Sequence, residues 1–158
     1  MIRYATYDDK KAIIAIAEAI NLFNPQELEA FGDLLTEYFD GKLDSDHFWI
    51  IYEDGAIMGV AYYAPEPYAS GTWNIYFIAV HPQHQGQGYG TKLLSYVEQA
   101  LTKRGERLLL VETSGLPNFE RTRAFYRKQG YEEEARIREF YKAGDDKIIF
   151  RKVLTAAT

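Results

Sequence analysis

The sequence predicts one mixed α/β domain over residues 1–158, and three observations predict it. The hydrophobic period changes along the chain from helical to strand-like and back. Two apolar, strand-like runs flank an Asp-Gly pair, which signals a hairpin ahead of the middle of the chain. The middle itself reads as strand, glycine-rich turn, helix, strand. A length of 158 residues is about one domain, and 47% apolar with 26% charged residues is ordinary for a globular chain.

The elements follow in the order βααββ, then β, glycine-rich turn, α, β, α, β, β. Thr6 followed by Asp9 is a capping-box pattern, and behind it Ile13, Ile16, Ala17 and Ile20 recur at helical spacing. Asn24 caps a second helix that Pro25 opens, because proline at the first helical position loses no needed hydrogen bond. Leu28, Phe31, Leu35 and Tyr38 give that helix one apolar face, and Gly41 ends it. Phe48–Tyr52 and Ile57–Tyr63 are the hairpin strands, with Pro65 and Pro67 stopping the second. A third strand runs from about Thr72 to Val80 and is closed by His81-Pro82.

After the glycine segment, Leu93, Leu94, Val97 and Leu101 form one face of a long helix that Gly105 terminates. Leu108-Leu109-Leu110-Val111 is continuously apolar, the pattern of a strand buried on both faces. A helix from about Phe119 to Gln129 stops at Gly130, and strands near Tyr131–Tyr141 and Lys147–Val153 finish the chain.

Composition excludes several chemistries. The absence of cysteine removes disulfides, thiolate catalysis and thiolate metal sites together. His47, His81 and His84 share no ligand spacing, so no metal is expected. The N-terminal residues lack the apolar core of a signal peptide, and no apolar run is long enough to span a bilayer. A soluble, cytoplasmic protein without a membrane partner is the expectation. A formal net charge of −5 repels nucleic acid and mildly favours cationic partners such as an amine. Among the 13 Tyr, 9 Phe and 2 Trp, the residues Tyr62, Tyr63, Trp73 and Tyr76 are candidates to line a groove, although core positions of a strand would look the same. Arg121, Arg123, Arg127 and Lys128 cluster on one helix and read as a solvated basic face.

The segment Gln85-Gly86-Gln87-Gly88-Tyr89-Gly90-Thr91 is the most informative. A strand that ends in such a turn and opens a helix presents backbone N–H groups at the positive end of the helix dipole, an anion site suited to phosphate. Gly86, Gly88 and Gly90 allow close backbone approach and unusual dihedral angles. The G-x-G-x-G spacing and mid-chain position argue against a dinucleotide, and Gly90-Thr91-Lys92 lacks the order needed for a nucleoside triphosphate.

Gln85 to Gly90 matches the Arg/Gln-x-x-Gly-x-Gly/Ala signature at every fixed position, with Ile78-Ala79-Val80-His81-Pro82 before it and Thr91-Lys92-Leu93-Leu94 after. Together with Ala124-Phe125-Tyr126-Arg127-Lys128-Gln129-Gly130-Tyr131, these segments make the sequence resemble the GCN5-related N-acetyltransferase (GNAT) family over nearly its whole length. Only residues 12–40 carry no family motif. The resemblance implies a central, mostly antiparallel mixed sheet of about seven strands flanked by about four helices. It also implies acetyl-CoA as cosubstrate, its pyrophosphate on residues 85–91, and direct attack by an amine acceptor on the thioester. Homodimers are frequent in the family, so a homodimer is among the implied states.

Direct attack needs a base for an ammonium with a free pKa near 10.4, donors for an oxyanion, and an acid for a thiolate whose thiol lies near 8.5. Tyr126 matches the family's acid tyrosine, and a phenol with a pKa near 10 stays protonated at neutral pH. Glu112, at the end of the apolar run, is the candidate base, with a salt-bridged strand end or a water chain as the competing accounts. Backbone N–H groups of Ile78, Ala79 and Val80 are the implied oxyanion donors, on the strand that pairs with the pantetheine arm. The family often has asparagine seven residues before the acid tyrosine. Phe119 stands there, so Asn118 with a shifted loop, Thr122 or backbone groups take over that cofactor contact. Acetylation of a small-molecule primary amine is the leading reading. Protein α-amine or lysine acetylation is a second, and a non-catalytic acyl-CoA sensor a third, which retention of Tyr126 and Glu112 opposes.

Overall fold

In the computed structural model, which describes residues 1–43 and 45–154, the elements follow the expected order. Among the described residues these are seven strands and four α-helices. The strands are β1 (Ile2–Tyr4), β2 (Phe48–Asp54), β3 (Ala56–Pro65), β4 (Thr72–Val80), β5 (Leu108–Ser114), β6 (Glu132–Lys142) and β7 (Asp145–Val153). The helices are α1 (Lys10–Ala19), α2 (Pro25–Phe39), α3 (Tyr89–Lys103) and α4 (Glu120–Lys128). Hydrogen-bonded neighbours in the sheet run β1-β2-β3-β4-β5-β7-β6. Pairs β1–β2, β2–β3, β5–β7 and β6–β7 are antiparallel, and β4–β5 is parallel over Thr72–Ile75 against Leu108–Val111. This is the mixed sheet and helix set that the sequence implies. Among the described residues no helix is long and apolar enough to cross a membrane.

The chain gathers into two compact units: Met1–Ala64 with Phe77–Val97, and Pro65–Tyr76 with Glu98 onward. In the first, the Asn24 side chain accepts from the Glu27 N–H at 2.8 Å, and Glu27 accepts from the Asn24 N–H at 2.9 Å. Both halves of a capping box therefore start α2. Before α1, Asp9 accepts from the Thr6 N–H at 2.7 Å and is gripped by Arg3 at 2.8 Å, which together with the other Arg3 bond holds its carboxyl below the usual range. Ile13, Ile16, Ala17, Phe31 and Leu35 then face Trp49, Ile51, Val60 and Tyr62 in one buried cluster. Its aromatic centre is compact. Trp49 stacks on Tyr62 with centroids 4.5 Å apart, and Phe31 lies 4.9 Å from Phe77. Gly59 leaves no room for a side chain: a Cβ there would stand 2.9 Å from Leu93 and 3.1 Å from the Ala79 carbonyl.

In the second unit Trp73, Ile75, Leu109, Val111, Ile148 and Phe150 are buried. The continuously apolar run does not behave as expected of a strand buried on both faces. Leu109 and Val111 are buried, while Leu108 and Leu110 are only half-buried. The face that carries Leu110 also carries Glu112 and borders a cavity, so apolar content overstated its burial.

Candidate active site

The glycine turn belongs to the first unit. A 3-10 turn, Pro82–His84, follows β4, and the His81 N–H donates to the Met58 carbonyl at 2.9 Å. The Gln85 side-chain amide donates to the Val80 carbonyl at 3.1 Å, folding the start of the turn back on the strand end. Gly86 and Gly88 then take φ of 78° and 89°, in the left-handed region that L residues avoid. Nothing lies within 4 Å of a Cβ built at either position, so conformation rather than crowding requires glycine. Gly90 is different. It lies in the first turn of α3 and is not among the positive-φ residues, which corrects the expectation of unusual dihedrals at all three glycines.

The first amides of any helix lack partners within it, and the Gly88 carbonyl already accepts from the Lys92 N–H at 3.1 Å. The turn is thus an exposed, left-handed backbone segment at the positive end of a 15-residue helix, a fitting cradle for a phosphate group. Gln87 is exposed on it. Tyr89 rests on the Tyr52 ring at 4.8 Å, with Lys92 Nζ over Tyr52 at 5.3 Å from its centroid. Ile78, Ala79 and Val80 occupy the end of β4, beyond its pairs with β5 at Thr72–Ile75.

The second unit holds Glu112, Tyr126 and Asn118. Glu112 on β5 stands opposite Ile149 and forms an ion pair with Lys147 at 2.7 Å through Oε2. Its strand-end ion pair is therefore real, and it engages Oε2. Tyr126 on α4 is 3% exposed, packed by Phe125, Tyr131 and Phe150 with ring centroids 5.4, 5.9 and 5.6 Å away. Burial pushes its phenol well above the ordinary value, with the Tyr141 phenol adding to the effect. Tyr141 is itself pushed up to about 12 by burial and then by the charges of Glu112 and Asp145. The two expected catalytic residues therefore share Tyr141 as an electrostatic neighbour. Asn118 lies exposed in the 3-10 turn Pro117–Phe119, ahead of α4, whose first residue is Glu120 rather than Phe119.

Arg123 overturns the reading of a uniformly solvated basic helix face. It is buried, and its guanidinium donates to the Ser114 and Leu116 carbonyls at 2.7 and 2.9 Å and to Glu120 at 2.8 Å. It fastens the loop after β5 to α4. Arg127 pairs with Glu133 at 3.3 Å instead of standing free. Of the proposed groove aromatics, Tyr63 and Trp73 are core residues and Tyr62 stacks in the buried cluster, where desolvation lifts its phenol to about 12. Only Tyr76 is exposed.

Sequence reasoning missed the surroundings of Glu112. A cavity of about 440 Å³ is lined by Glu66, Asn74, Leu110, Glu112 and Lys147 among others. The available signal was Asn74, an amide inside an otherwise apolar strand where Asn is disfavoured.

The acetyltransferase (GNAT) family model matches residues 16–131. An amino-acid acetyltransferase of Ralstonia nicotianae (strain ATCC BAA-1114 / GMI1000) is 32% identical over 133 residues, covering 82% of this chain and 26% of that protein. The chain thus spans about a quarter of that curated relative. A crystal structure of a GNAT-family protein from Desulfovibrio desulfuricans superposes with a TM-score of 0.90 at 34% identity, covering 98% of this chain and 99% of the other. A Salmonella typhimurium structure with acetyl-CoA superposes with a TM-score of 0.76 at 17% identity, covering 100% and 95%, and shares the fold.

Proposed function

Because the chain belongs to the acetyltransferase (GNAT) family, we propose that it transfers an acetyl group from acetyl-CoA to a primary amine of a small molecule, in a ternary complex without a covalent enzyme intermediate. The observation that carries this reading is the turn at Gly86 and Gly88, a left-handed, open backbone cradle at a helix start in a chain matched by the family model. The unpartnered first amides of the helix it opens suit a pyrophosphate and leave the reacting end to other residues. The small-molecule acceptor is supported by the amino-acid acetyltransferase relative.

Bound acetyl-CoA supplies the electrophile, an activated thioester carbonyl. The chain supplies the rest. Residues 85–91 hold the phosphates, and the backbone of Ile78–Val80 offers N–H donors to the pantetheine amides and to the carbonyl oxygen as negative charge develops there. Glu112 Oε1 takes the proton of the incoming ammonium, while Lys147 holds Oε2 and so fixes the carboxylate plane. As the C–N bond forms and the C–S bond breaks, the Tyr126 hydroxyl gives its proton to sulfur. Burial keeps that phenol neutral, and a thiolate leaving into the same desolvated surroundings is a stronger base than in water. Asn118 contributes a further contact to the cofactor from the turn before α4.

Incubation with acetyl-CoA and a panel of amines, amino acids and peptides, followed by free-thiol release, tests the proposal. Turnover with small amines supports it. Thermal stabilisation by acetyl-CoA without turnover on any amine would turn the reading into that of an acyl-CoA sensor.

A further inference from the structure

Within the second unit, β6 leaves its regular pairing with β7 beside Lys147. Between the pairs Ile137–Lys147 and Lys142–Asp145, β6 advances five residues while β7 advances two. A bulge takes up the excess, and in it Glu139 holds φ of 55°, a left-handed conformation that a residue with a Cβ keeps only when its surroundings impose it. Asp146 imposes it: one carboxylate oxygen accepts from the Glu139 N–H at 2.9 Å and the other from Arg136. Such a bulge re-aims the side chain that follows. The Phe140 ring centroid lies 4.1 Å from the Lys147 Nζ, and Tyr141 packs edge-on against the ring with centroids 5.2 Å apart. Phe140 is 51% exposed in a strand of mostly charged residues, so burial gives little reason for a ring there.

The ammonium under that ring is the one that meets Glu112 Oε2 at 2.7 Å. Ser114, not Glu112, stands directly opposite Lys147 on β5, so the lysine reaches its partner diagonally. A pair of this kind is ordinarily weak, because holding a long side chain in one rotamer costs entropy and water competes for both charges. A ring face at this distance attracts the ammonium through its quadrupole and covers part of it against water. We infer that Phe140 is a positioning residue: its ring fixes the Lys147 ammonium on Glu112 Oε2 and thereby holds the carboxylate that receives the proton. The clamp stands on geometry alone, and its effect on turnover rests on the reading of Glu112 as the base.

The test is the coupling between Lys147 and Glu112, measured by denaturant unfolding of the full chain carrying Lys147→Met, Glu112→Gln or both. With Phe140 in place, or with Phe140→Tyr, which keeps a π face, the pair is coupled by a factor of about five in the unfolding constant. With Phe140→Leu, which keeps an apolar cover for the lysine stem but no quadrupole, the coupling falls towards one. Phe140 is exposed enough for all three proteins to fold, as thermal melts verify. Equal coupling in the three, or an equal loss with tyrosine and leucine, overturns the inference. Turnover with acetyl-CoA and the most reactive amine of the panel gives the second readout. Phe140→Leu lowers kcat about fivefold, spares the KM for acetyl-CoA, and adds nothing to the effect of Glu112→Gln. The same loss in the Glu112→Gln protein would mean a merely structural role and overturn the inference. Turnover untouched by Glu112→Gln, with the Phe140-dependent coupling intact, would sink Glu112 as the base and leave the clamp standing. Coupling indifferent to Phe140, while Glu112→Gln still slows turnover, would do the reverse.

Discussion

The glycine turn and the surroundings of Glu112 are built in opposite ways. The turn is contiguous backbone: Gly86 and Gly88 in left-handed conformation, followed at once by α3. The Glu112 neighbourhood is made of side chains from separate segments, with Glu66, Asn74, Glu112, Tyr141 and Lys147 drawn together by strand pairing. The difference separates two tasks. In the proposed reaction the acetyl donor is the same whatever the acceptor, and its phosphates can be held by main-chain amides, which every sequence has. Telling one amine from another needs charges and hydrogen-bonding atoms in one particular arrangement, which only side chains provide.

The contrast can be broken or sharpened by substitution. The largest effect belongs to Tyr126→Phe, which keeps the packed ring and removes the proton. Turnover falls about 100-fold while acetyl-CoA affinity, measured by titration, is largely spared. An unchanged rate would remove Tyr126 from the mechanism. Glu112→Gln also lowers kcat/KM about 100-fold near neutrality, and glutamine can still accept from Lys147. Its deficit shrinks as pH rises towards the amine pKa near 10.4, because solution then supplies the neutral amine. A deficit independent of pH would argue for an electrostatic role of Glu112.

Replacing Arg123 by Met tests the fastening of the loop. One buried and one half-buried carbonyl lose a charged donor, and stability falls by about 3 kcal/mol, read from denaturant unfolding. Gly88→Ala acts on the other half of the comparison. A left-handed alanine costs about 1 kcal/mol, so acetyl-CoA affinity drops roughly fivefold while the rate at saturation is retained. A loss of rate instead would mean that the turn does more than hold phosphate.

The smallest effect near neutrality is on pH stability. Tyr126 and Tyr131 are held protonated in the fold, chiefly by burial and for Tyr131 also by its bond to Glu98. Above the ordinary phenol value near 10, the unfolded chain gives up these protons and the folded chain keeps them. Stability therefore falls as pH rises past that value and is unaffected below it. Melting temperatures across the alkaline range check this, and Tyr131→Phe should flatten the slope.

Much of the fold was legible because its signals are local. Asn24-Pro25, Asp54-Gly55 and the Thr72–Val80 run each work through neighbouring residues, and the capping bonds of α2 and the bounds of β4 agree with them. The family motifs were legible for the same reason. Burial was less so. Leu110 has the same composition signal as Leu109, yet only one of them faces the core, because the other side of β5 opens on a cavity rather than on a helix. Arg123 looked like its neighbours on the helix until the Ser114 and Leu116 carbonyls were seen to need it.

The sequence by itself determined the element order, the glycine turn and the family, since each depends on residues within a few positions of one another. Tertiary structure decided that Glu112 is paired with Lys147, that Arg123 is a buried clamp, and that Asn74 keeps an unanswered carbonyl beside Glu66. Those relations join residues from seven to 35 positions apart. A hydrogen bond or ion pair depends on distance in space, which strand pairing sets and local sequence does not encode.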